Sequence, residues 1–160
     1  MIEDVQDIAT RAGAMETFIV HPDRHGPHPV VFILMDAPGI REELCDMARR
    51  LCSAGYYVVL PNLYYRAGKA TKYGPDVTTK GSPEQARMRA VRTRMTIPPV
   101  MDDFADMLAF VDTQPAAKKR HGRHPWILHE RTILAGRRRP IPRPGRRRRI
   151  ILRHLAGQRK

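Results

Sequence analysis

The chain contains two cysteines, Cys45 and Cys52, and a cysteine thiolate can act as a nucleophile or as a metal ligand. The two residues are seven positions apart, which places them on roughly the same face of a helix. They form neither a C-x-x-C pair nor a Cys/His cluster with the spacing of a zinc site. We therefore expect two reduced thiols in or near the core, no metal site and no cofactor.

A nucleophile on a sharp turn between a strand and a helix requires the pattern G-x-C-x-G or G-x-S-x-G, and neither occurs in the 160 residues. His21, His25 and His28 precede an apolar run and are most simply loop residues. No histidine follows a recognisable strand that carries an aspartate, so a nucleophile-His-Asp triad cannot be assembled. The residues therefore predict no complete hydrolytic site.

Asp36 is the acidic residue nearest to the end of an apolar run, at a place where α/β enzymes carry their chemistry. It is either a site residue or a loop carboxylate that caps a helix beginning near Ile40, and the sequence leaves both interpretations open. A second candidate set consists of Arg87, Arg89, Arg92 and Arg94. One of these arginines could pair with an anionic substrate, but a solvated helix face is the favoured interpretation.

The elements that would position these residues follow an α/β pattern. The unbroken apolar runs at residues 30–34 and 57–60 predict strands that are covered on both faces, and residues 16–21 predict a further short strand. Helical spacing of apolar residues predicts a helix over residues 40–54, ended by Gly55. The order strand, helix, strand indicates a right-handed crossover unit with parallel strands.

Two further segments follow the second apolar strand. Residues 62–83 are rich in Gly, Lys, Thr and Tyr and predict a long loop at the carboxyl end of that strand, where open α/β sheets bind ligands. Pro98 and Pro99 open another helix, which we expect to end before Pro115. Its predicted buried face consists of Met101, Phe104, Leu108 and Val111.

The composition changes abruptly near Pro115. Residues 1–116 contain 13 Lys/Arg and 15 Asp/Glu, a net charge of −2, whereas residues 117–160 contain 16 Lys/Arg and only Glu130, a net charge of +15. Runs of arginine separated by prolines are too charged and too poor in periodic apolar residues to form a compact unit. We predict a disordered basic tail over residues 116–160.

Residues 15–115 resemble the dienelactone hydrolase family of the α/β-hydrolases. The likeness is carried by VVFIL with MDAPGIREEL (residues 35–44), by MARRLCSAGYYVVLPNLYYRAG (47–68) and by MDDFADMLAFVDTQP (101–115). The resemblance implies the first half of a three-layer α/β sandwich with a mostly parallel sheet. It leaves residues 1–14 as a lead-in and residues 116–160 as the tail.

The resemblance also implies a chemistry. Such enzymes hydrolyse an ester or lactone with a Cys or Ser nucleophile, a His base, an Asp that orients it, and backbone N–H groups that bind the oxyanion. By resemblance, Asp36 occupies the position of an acidic residue near the nucleophile, and the N–H of Ala37 is one oxyanion donor. The nucleophile and the base have no counterpart in this sequence.

The tail offers an explanation at the level of the gene. Moving the reading frame forward by one base, with a choice of synonymous codons, turns WILHER (residues 126–131) into Gly-Phe-Cys-Met-Ser-Gly, the nucleophile turn of the family. The arginine runs then become alanine runs, as expected of the helix that follows such a turn. We therefore expect a frameshift near residues 116–123.

Two functions follow as expectations. The first is a truncated and inactive relative of the dienelactone hydrolases, whose intact members act on a small ester or lactone. The alternative is an α/β domain whose basic tail binds nucleic acid without sequence preference. No apolar run is long enough to cross a bilayer and the start lacks the pattern of a signal peptide, so no membrane association and a cytoplasmic location are expected.

Overall fold

The computed structural model describes residues 1–68 and 73–119, together with the backbone of residues 126–129. The strands are β1 Ile2–Thr10, β2 Gly13–His21, β3 Val30–Leu34, β4 Tyr57–Pro61 and β5 Trp126–His129, and the helices are α1 Glu42–Ser53, α2 Pro83–Arg92 and α3 Ile97–Thr113. In this part of the chain the strands form one mixed sheet in the order β1-β2-β4-β3-β5. None of the described helices has both the length and the apolar composition needed to span a membrane.

The two unbroken apolar runs form the central strands β3 and β4, as predicted. They pair in parallel, with Val31 opposite Val58 and Phe32 opposite Val59. Every residue of β4 and all but the last of β3 are buried. Helix α1 connects the two strands, so the predicted strand, helix, strand unit is confirmed.

Helices cover both faces of this sheet. On one face the ring of Phe32 lies 5.3 Å from that of Phe104 in α3. Phe32 and Ile19 both pair with Val59 of β4, so their side chains lie on the face that α3 covers. Phe18 precedes Ile19 in β2, and its side chain therefore lies on the opposite face of the sheet. The guanidinium of Arg49 in α1 lies 5.7 Å from the centre of the Phe18 ring. The arrangement is therefore a three-layer sandwich.

Helix α1 begins two residues later and ends one residue earlier than the predicted range 40–54. Glu42 and Glu43 occupy its first turn, where the helix dipole favours negative charge. Gly55 ends it as expected, with a φ of 94° that an L side chain rarely adopts and an N–H that donates to the carbonyl of Cys52 at 2.8 Å.

The prediction of a mostly parallel sheet is wrong. Strand β1 pairs antiparallel with β2 over nine residue pairs, and β2 pairs antiparallel with β4, whereas only the β4-β3 and β3-β5 pairs are parallel. No apolar pattern predicts a strand before Glu16, because β1 is mostly polar and Ile8 is its one buried residue. The hairpin of β1 and β2 therefore adds two antiparallel pairings that the apolar pattern did not predict.

Ordered contacts continue past Pro115. The N–H of His28 donates to the carbonyl of Ala116 and the N–H of Lys118 donates to the carbonyl of His28, both at 2.7 Å. The backbone of Trp126–His129, within the predicted basic tail, pairs in parallel with β3. The predictions of disorder and of a frameshift otherwise concern residues 120–125 and 130–160, which lie outside the described residues.

Helix α3 buries a different stripe from the one predicted. Phe104 and Val111 are buried as expected, but Met107 is fully buried while Met101 is 53 % exposed. The helix is rotated so that Asp103 also faces inward, with an exposure of 1 %. Polar partners from outside the helix make this orientation possible, and periodicity within the helix does not reveal them.

The Asp103 carboxylate is held by the chain that follows β4. It accepts hydrogen bonds from the hydroxyl of Tyr65 at 2.7 Å and from both terminal nitrogens of Arg66 at 2.7 and 2.8 Å. The Tyr65 hydroxyl also lies 2.9 Å from that of Thr10 at the end of β1. A buried carboxylate is tolerated only when it is paired in this way, so the network ties α3 to the segment after β4 and to the β1-β2 hairpin.

Replacing Asp103 by alanine should lower the free energy of unfolding by about 1–3 kcal/mol, because Tyr65 loses its acceptor in a buried place and Arg66 loses its partner. Denaturation by urea, followed by circular dichroism, measures the change. The matched control is Asp102→Ala, because Asp102 is exposed and its ion pair with Arg11 should contribute at most about 1 kcal/mol. Equal losses for the two variants would contradict the assigned role of Asp103.

Candidate active site

The chain leaves the carboxyl end of β3 in a tight turn over residues 36–39. The N–H of Gly39 donates to the carbonyl of Asp36 at 3.0 Å and closes the turn. Gly39 has a φ of 88°, which is the reason that glycine is required at this position. The turn places Asp36 and Ala37 at the edge of the sheet where parallel strands end, which is the edge at which open α/β sheets bind ligands.

Asp36 pairs with Arg41, the residue that precedes the first turn of α1. The guanidinium of Arg41 donates to the Asp36 carboxylate, and Arg41 also lies 3.4 Å from the Glu43 carboxylate. The N-cap residue of α1 is Arg41, whose side chain makes no capping hydrogen bond and instead pairs with Asp36. The position of Asp36 at the strand end matches the site interpretation, while its role there stays a prediction.

Ala37 has a fixed carbonyl and an N–H group available for bonding. Its carbonyl accepts a hydrogen bond from the hydroxyl of Tyr64 at 2.8 Å. Among the residues that the structure describes, no acceptor bonds the N–H of Ala37. A backbone donor held in this way is what an oxyanion site needs, because it need not break another bond when charge develops.

Tyr64 is itself held from the segment that follows β4. Its backbone N–H donates to the side-chain oxygen of Asn62 at 3.0 Å, and the next two residues are those that bind Asp103. Burial raises the pKa of Tyr64 to about 12, with further contributions from Tyr73 and Asp36 that the charge of Arg92 opposes. The Tyr64 phenol therefore remains a hydrogen-bond donor at neutral pH.

The described part of the segment at residues 62–83 is a loop, as predicted, with short 3₁₀ turns at Tyr65–Ala67 and Pro75–Thr78. Its aromatic residue Tyr73 packs edge-on against Tyr64, with 6.0 Å between ring centres. The guanidinium of Arg87 lies 5.1 Å from the centre of the Tyr73 ring. Two loops thus meet at the carboxyl edge, one after each central strand.

Arginines 87, 89, 92 and 94 are all exposed, as the solvated helix face predicts. They are nevertheless not equivalent. Arg87 contacts the Tyr73 ring and lies 3.2 Å from the Glu84 carboxylate, and Arg92 is close enough to Tyr64 to lower its pKa. Positive charge is therefore available beside the two tyrosines of the candidate site.

The two cysteines are free thiols in and near the core, as predicted. Cys52 is buried and Cys45 is half-buried, and both lie on α1. Burial raises the pKa of each thiol, and at Cys45 the carboxylate of Glu42 raises it further. Neither thiol is activated as a nucleophile, because activation requires a lowered pKa.

His21, His25 and His28 lie at the opposite edge of the sheet, whereas the backbone of His129 pairs with Leu34 near the candidate site. His28 precedes β3, whose five residues rise about 3.3 Å each, so this edge is roughly 16 Å from Asp36. A cleft of about 460 Å³ at this edge is lined in part by His25, His28 and Cys52. Within the described ranges, no three His, Cys, Asp or Glu side chains are grouped as a metal ion would require.

Arg41, Tyr64 and Tyr73, which are not among the predicted site residues, lie around Asp36 and Ala37. The sequence could have indicated Tyr64 and Tyr73, because both lie in the loop at residues 62–83 that is expected to bind ligands. Arg41 lies within the predicted helix range 40–54 and does not belong to its apolar pattern.

The family model described as "Dienelactone hydrolase family" matches residues 15–122 of this chain. The chain belongs to the dienelactone hydrolase family. The match includes the Asp36 turn, both central strands and α3, so the fold and the family assignment rest on the same residues. The resemblance found in the sequence is confirmed.

Several relatives of known sequence are candidate carboxymethylenebutenolidases. One from Yersinia pestis is 37 % identical over 67 residues, covering 41 % of this chain and 25 % of its own length. One from Methylorubrum extorquens is 28 % identical over 103 residues, covering 64 % of this chain and 33 % of its own. The chain thus spans a quarter to a third of the length of these relatives.

A solved structure supports the fold. The crystal structure of a candidate dienelactone hydrolase from Klebsiella pneumoniae superposes with a TM-score of 0.62 at 20 % identity, covering 80 % of this chain and 48 % of that one. At this identity the similarity establishes the α/β-hydrolase fold alone. Together with the family match, it confirms the predicted fold class apart from the proportion of parallel strands.

All five tyrosines should resist ionisation for as long as the chain is folded. Their pKa values are raised by burial above the value of about 10 that holds in an unfolded chain. The buried, protonated tyrosines contribute their full stabilisation of the folded chain below about pH 10. This stabilisation is lost as the pH rises through the pKa values that the tyrosines have in the folded chain. The pKa values of Tyr57, Tyr64 and Tyr65 rise to about 12, and those of Tyr56 and Tyr73 rise as well.

Absorbance of tyrosinate, recorded with circular dichroism across the alkaline range, measures this effect. We expect the tyrosines to ionise together with unfolding, and to ionise near pH 10 when denaturant is present from the start. Ionisation of several tyrosines near pH 10 with no change in the dichroism would contradict the burial described above.

Proposed function

We propose that this chain carries the carbonyl-binding part of an ester or lactone hydrolase site and does not itself turn over substrate. The observation that carries the proposal is the turn after β3, where the Ala37 N–H is free of other acceptors among the described residues. Membership of the dienelactone hydrolase family supports the reaction class. The names of the relatives support a small lactone as the substrate.

In the proposed site, Ala37 would donate its N–H to the carbonyl oxygen of the substrate as negative charge develops there. Tyr64 holds the same residue through its carbonyl, so the donor is positioned before substrate arrives. Asp36, neutralised in part by Arg41, would lie beside the nucleophile in a complete site. These groups polarise a carbonyl, but hydrolysis also requires a group that attacks it.

The proposed inactivity of the chain follows from the lack of a residue that could attack the substrate carbonyl. The sequence has no G-x-C-x-G or G-x-S-x-G turn. Cys45 and Cys52 have raised thiol pKa values, and His25 and His28 lie at the far edge of the sheet. We propose that a frameshift near residues 116–123 replaced the nucleophile turn, and that the chain is a truncated, cytoplasmic member of its family.

We expect the 160-residue chain to hydrolyse para-nitrophenyl acetate no faster than a boiled sample, because no activated nucleophile is present. Release of nitrophenolate under steady-state conditions measures this. Turnover well above the boiled control that disappears in the double variant Cys45→Ala/Cys52→Ala would overturn the proposal, since it would identify one of these thiols as the nucleophile.

The frameshift is tested at the gene. We expect the coding DNA, read one base forward from the codon of Trp126, to encode Gly-Phe-Cys-Met-Ser-Gly and to continue without a stop. The chain expressed in that frame should hydrolyse the nitrophenyl ester, and replacing the new cysteine by alanine should abolish the activity. A stop codon, or failure to encode this turn, contradicts the frameshift.

The alternative function is non-specific binding of nucleic acid through the tail. Its support is the charge of residues 117–160, which carry 16 Lys/Arg against a single Glu130. Such a segment would bind phosphates with an affinity that falls steeply with salt. Because any arginine-rich segment would bind in this way, the reading frame of the gene, rather than a binding assay, separates the two functions.

A further inference from the structure

A cleft lies at the amino edge of the sheet, on the side opposite to the Ala37 turn. Its volume of about 460 Å³ falls in the range of small-molecule sites in proteins. The loop between β2 and β3 and the end of α1 form its walls, and no residue of the proposed carbonyl-binding turn lines it. A ligand in this cleft would therefore bind independently of the proposed hydrolase site.

His28 is a buried residue of this cleft whose imidazole has no hydrogen-bond partner. The residue is 6 % exposed, and its ring bonds to none of the described residues. Its backbone is fixed, because its N–H donates to Ala116 and its carbonyl accepts from Lys118, each at 2.7 Å. Among the described side chains only the Tyr73 hydroxyl is both sealed from solvent and unbonded, so the ring nitrogens of His28 keep contact with the cleft. A neutral imidazole offers one donor and one acceptor, and both are available to a ligand.

Arg24 supplies an unpaired positive charge at the same cleft. Its side chain is exposed and forms no ion pair or hydrogen bond with the described part of the chain. Of the described residues that line the cleft, Asp23 alone carries a carboxylate, and the amino group of Met1 lies 3.8 Å from it and offsets its charge. An available cation beside an available imidazole donor favours an anion, because hydrogen bonds to ionised groups are the strong ones.

The loop that carries both residues has an uncommon backbone conformation at His25. Its φ is 64°, a left-handed value that residues other than glycine adopt at a cost in free energy. His25 also lines the cleft, and conformations of this kind cluster where chains bind ligands. The strain at His25 is thus an observation, independent of the unbonded imidazole, that indicates a ligand at this loop.

We propose that the cleft at the amino edge of the sheet binds a small organic anion with an apolar body, of the aromatic carboxylate class. Arg24 pairs with the anionic group, and the imidazole of His28 donates a hydrogen bond to it. The apolar body lies against Pro22, Gly55 and the buried Cys52, which also line the cleft.

Benzoate and benzamide test the inference on the 160-residue chain, because they have nearly the same shape and differ in charge. Binding is followed by two-dimensional NMR of the isotope-labelled chain, and the affinity is taken from the backbone shifts of residues 23–28 and 52–55. We expect saturable shifts there with benzoate, an affinity for benzamide about tenfold lower, and no shift at Ala37 with either probe. A tenfold difference is what a hydrogen bond to a charged group contributes at the least.

Arg24→Gln is the decisive variant, because its side chain is exposed and the fold does not depend on it. It should bind the two probes with equal affinity and unfold at the same urea concentration as the wild type. Arg50→Gln is the matched control: it removes the same charge from an exposed residue in the last turn of α1 that does not line the cleft, and it should keep the tenfold preference for benzoate.

His28→Phe tests the second contact. It should bind benzoate about tenfold more weakly than the wild type, with circular dichroism to show that the buried substitution leaves the chain folded. If this variant unfolds, the two probes are compared in Arg24→Gln alone, which still decides whether the cleft selects an anion.

Equal affinity of the wild type for benzoate and benzamide overturns the inference, as does a preference that survives Arg24→Gln or is lost equally in Arg50→Gln. Shifts that centre on Ala37 instead of residues 23–28 overturn it as well. None of these results bears on the proposed function, since that function is tested by ester hydrolysis and by the reading frame of the gene.

Discussion

The burial of both faces of the β3-β4 pair is the constraint on which the rest of this structure depends. Two apolar runs without alternation expose hydrophobic side chains above and below the sheet, and each face must be covered. Helix α1 covers one face and α3 covers the other, where Phe104 packs on Phe32. Because the two strands run in parallel, their carboxyl ends meet at one edge, and the loops that follow them must meet there too.

That edge gathers the candidate site from two separate stretches of chain. The turn after β3 supplies Asp36 and Ala37, and the loop after β4 supplies Tyr64 and Tyr73. The hydrogen bond from Tyr64 to the carbonyl of Ala37 joins the two loops. The network around Asp103 fixes the residues next to Tyr64, so the packing of α3 is coupled to the position of the proposed carbonyl-binding turn.

The groups proposed to recognise a substrate come from residues 36–92, within the range matched by the family model. The residues that follow, 117–160, have an arginine-rich composition, and the sequence contains no nucleophile pattern. Membership of a hydrolase family is therefore compatible with the proposal that this chain does not turn over substrate.

The sequence alone defines the central strands, helix α1 and the position of Asp36, because long apolar runs and glycine stops act locally and leave a clear pattern. It did not determine strand β1, which is polar and is held by pairing with β2 rather than by burial. Nor did it determine which face of α3 is buried, because Asp103 turns inward only when Tyr65 and Arg66, 38 and 37 residues earlier, supply its hydrogen bonds. The pairing of Asp36 with Arg41 depends on the backbone path of the turn after β3, and the unpartnered Tyr73 hydroxyl depends on the packing of the loop after β4 among the described residues, so neither could be read from periodicity.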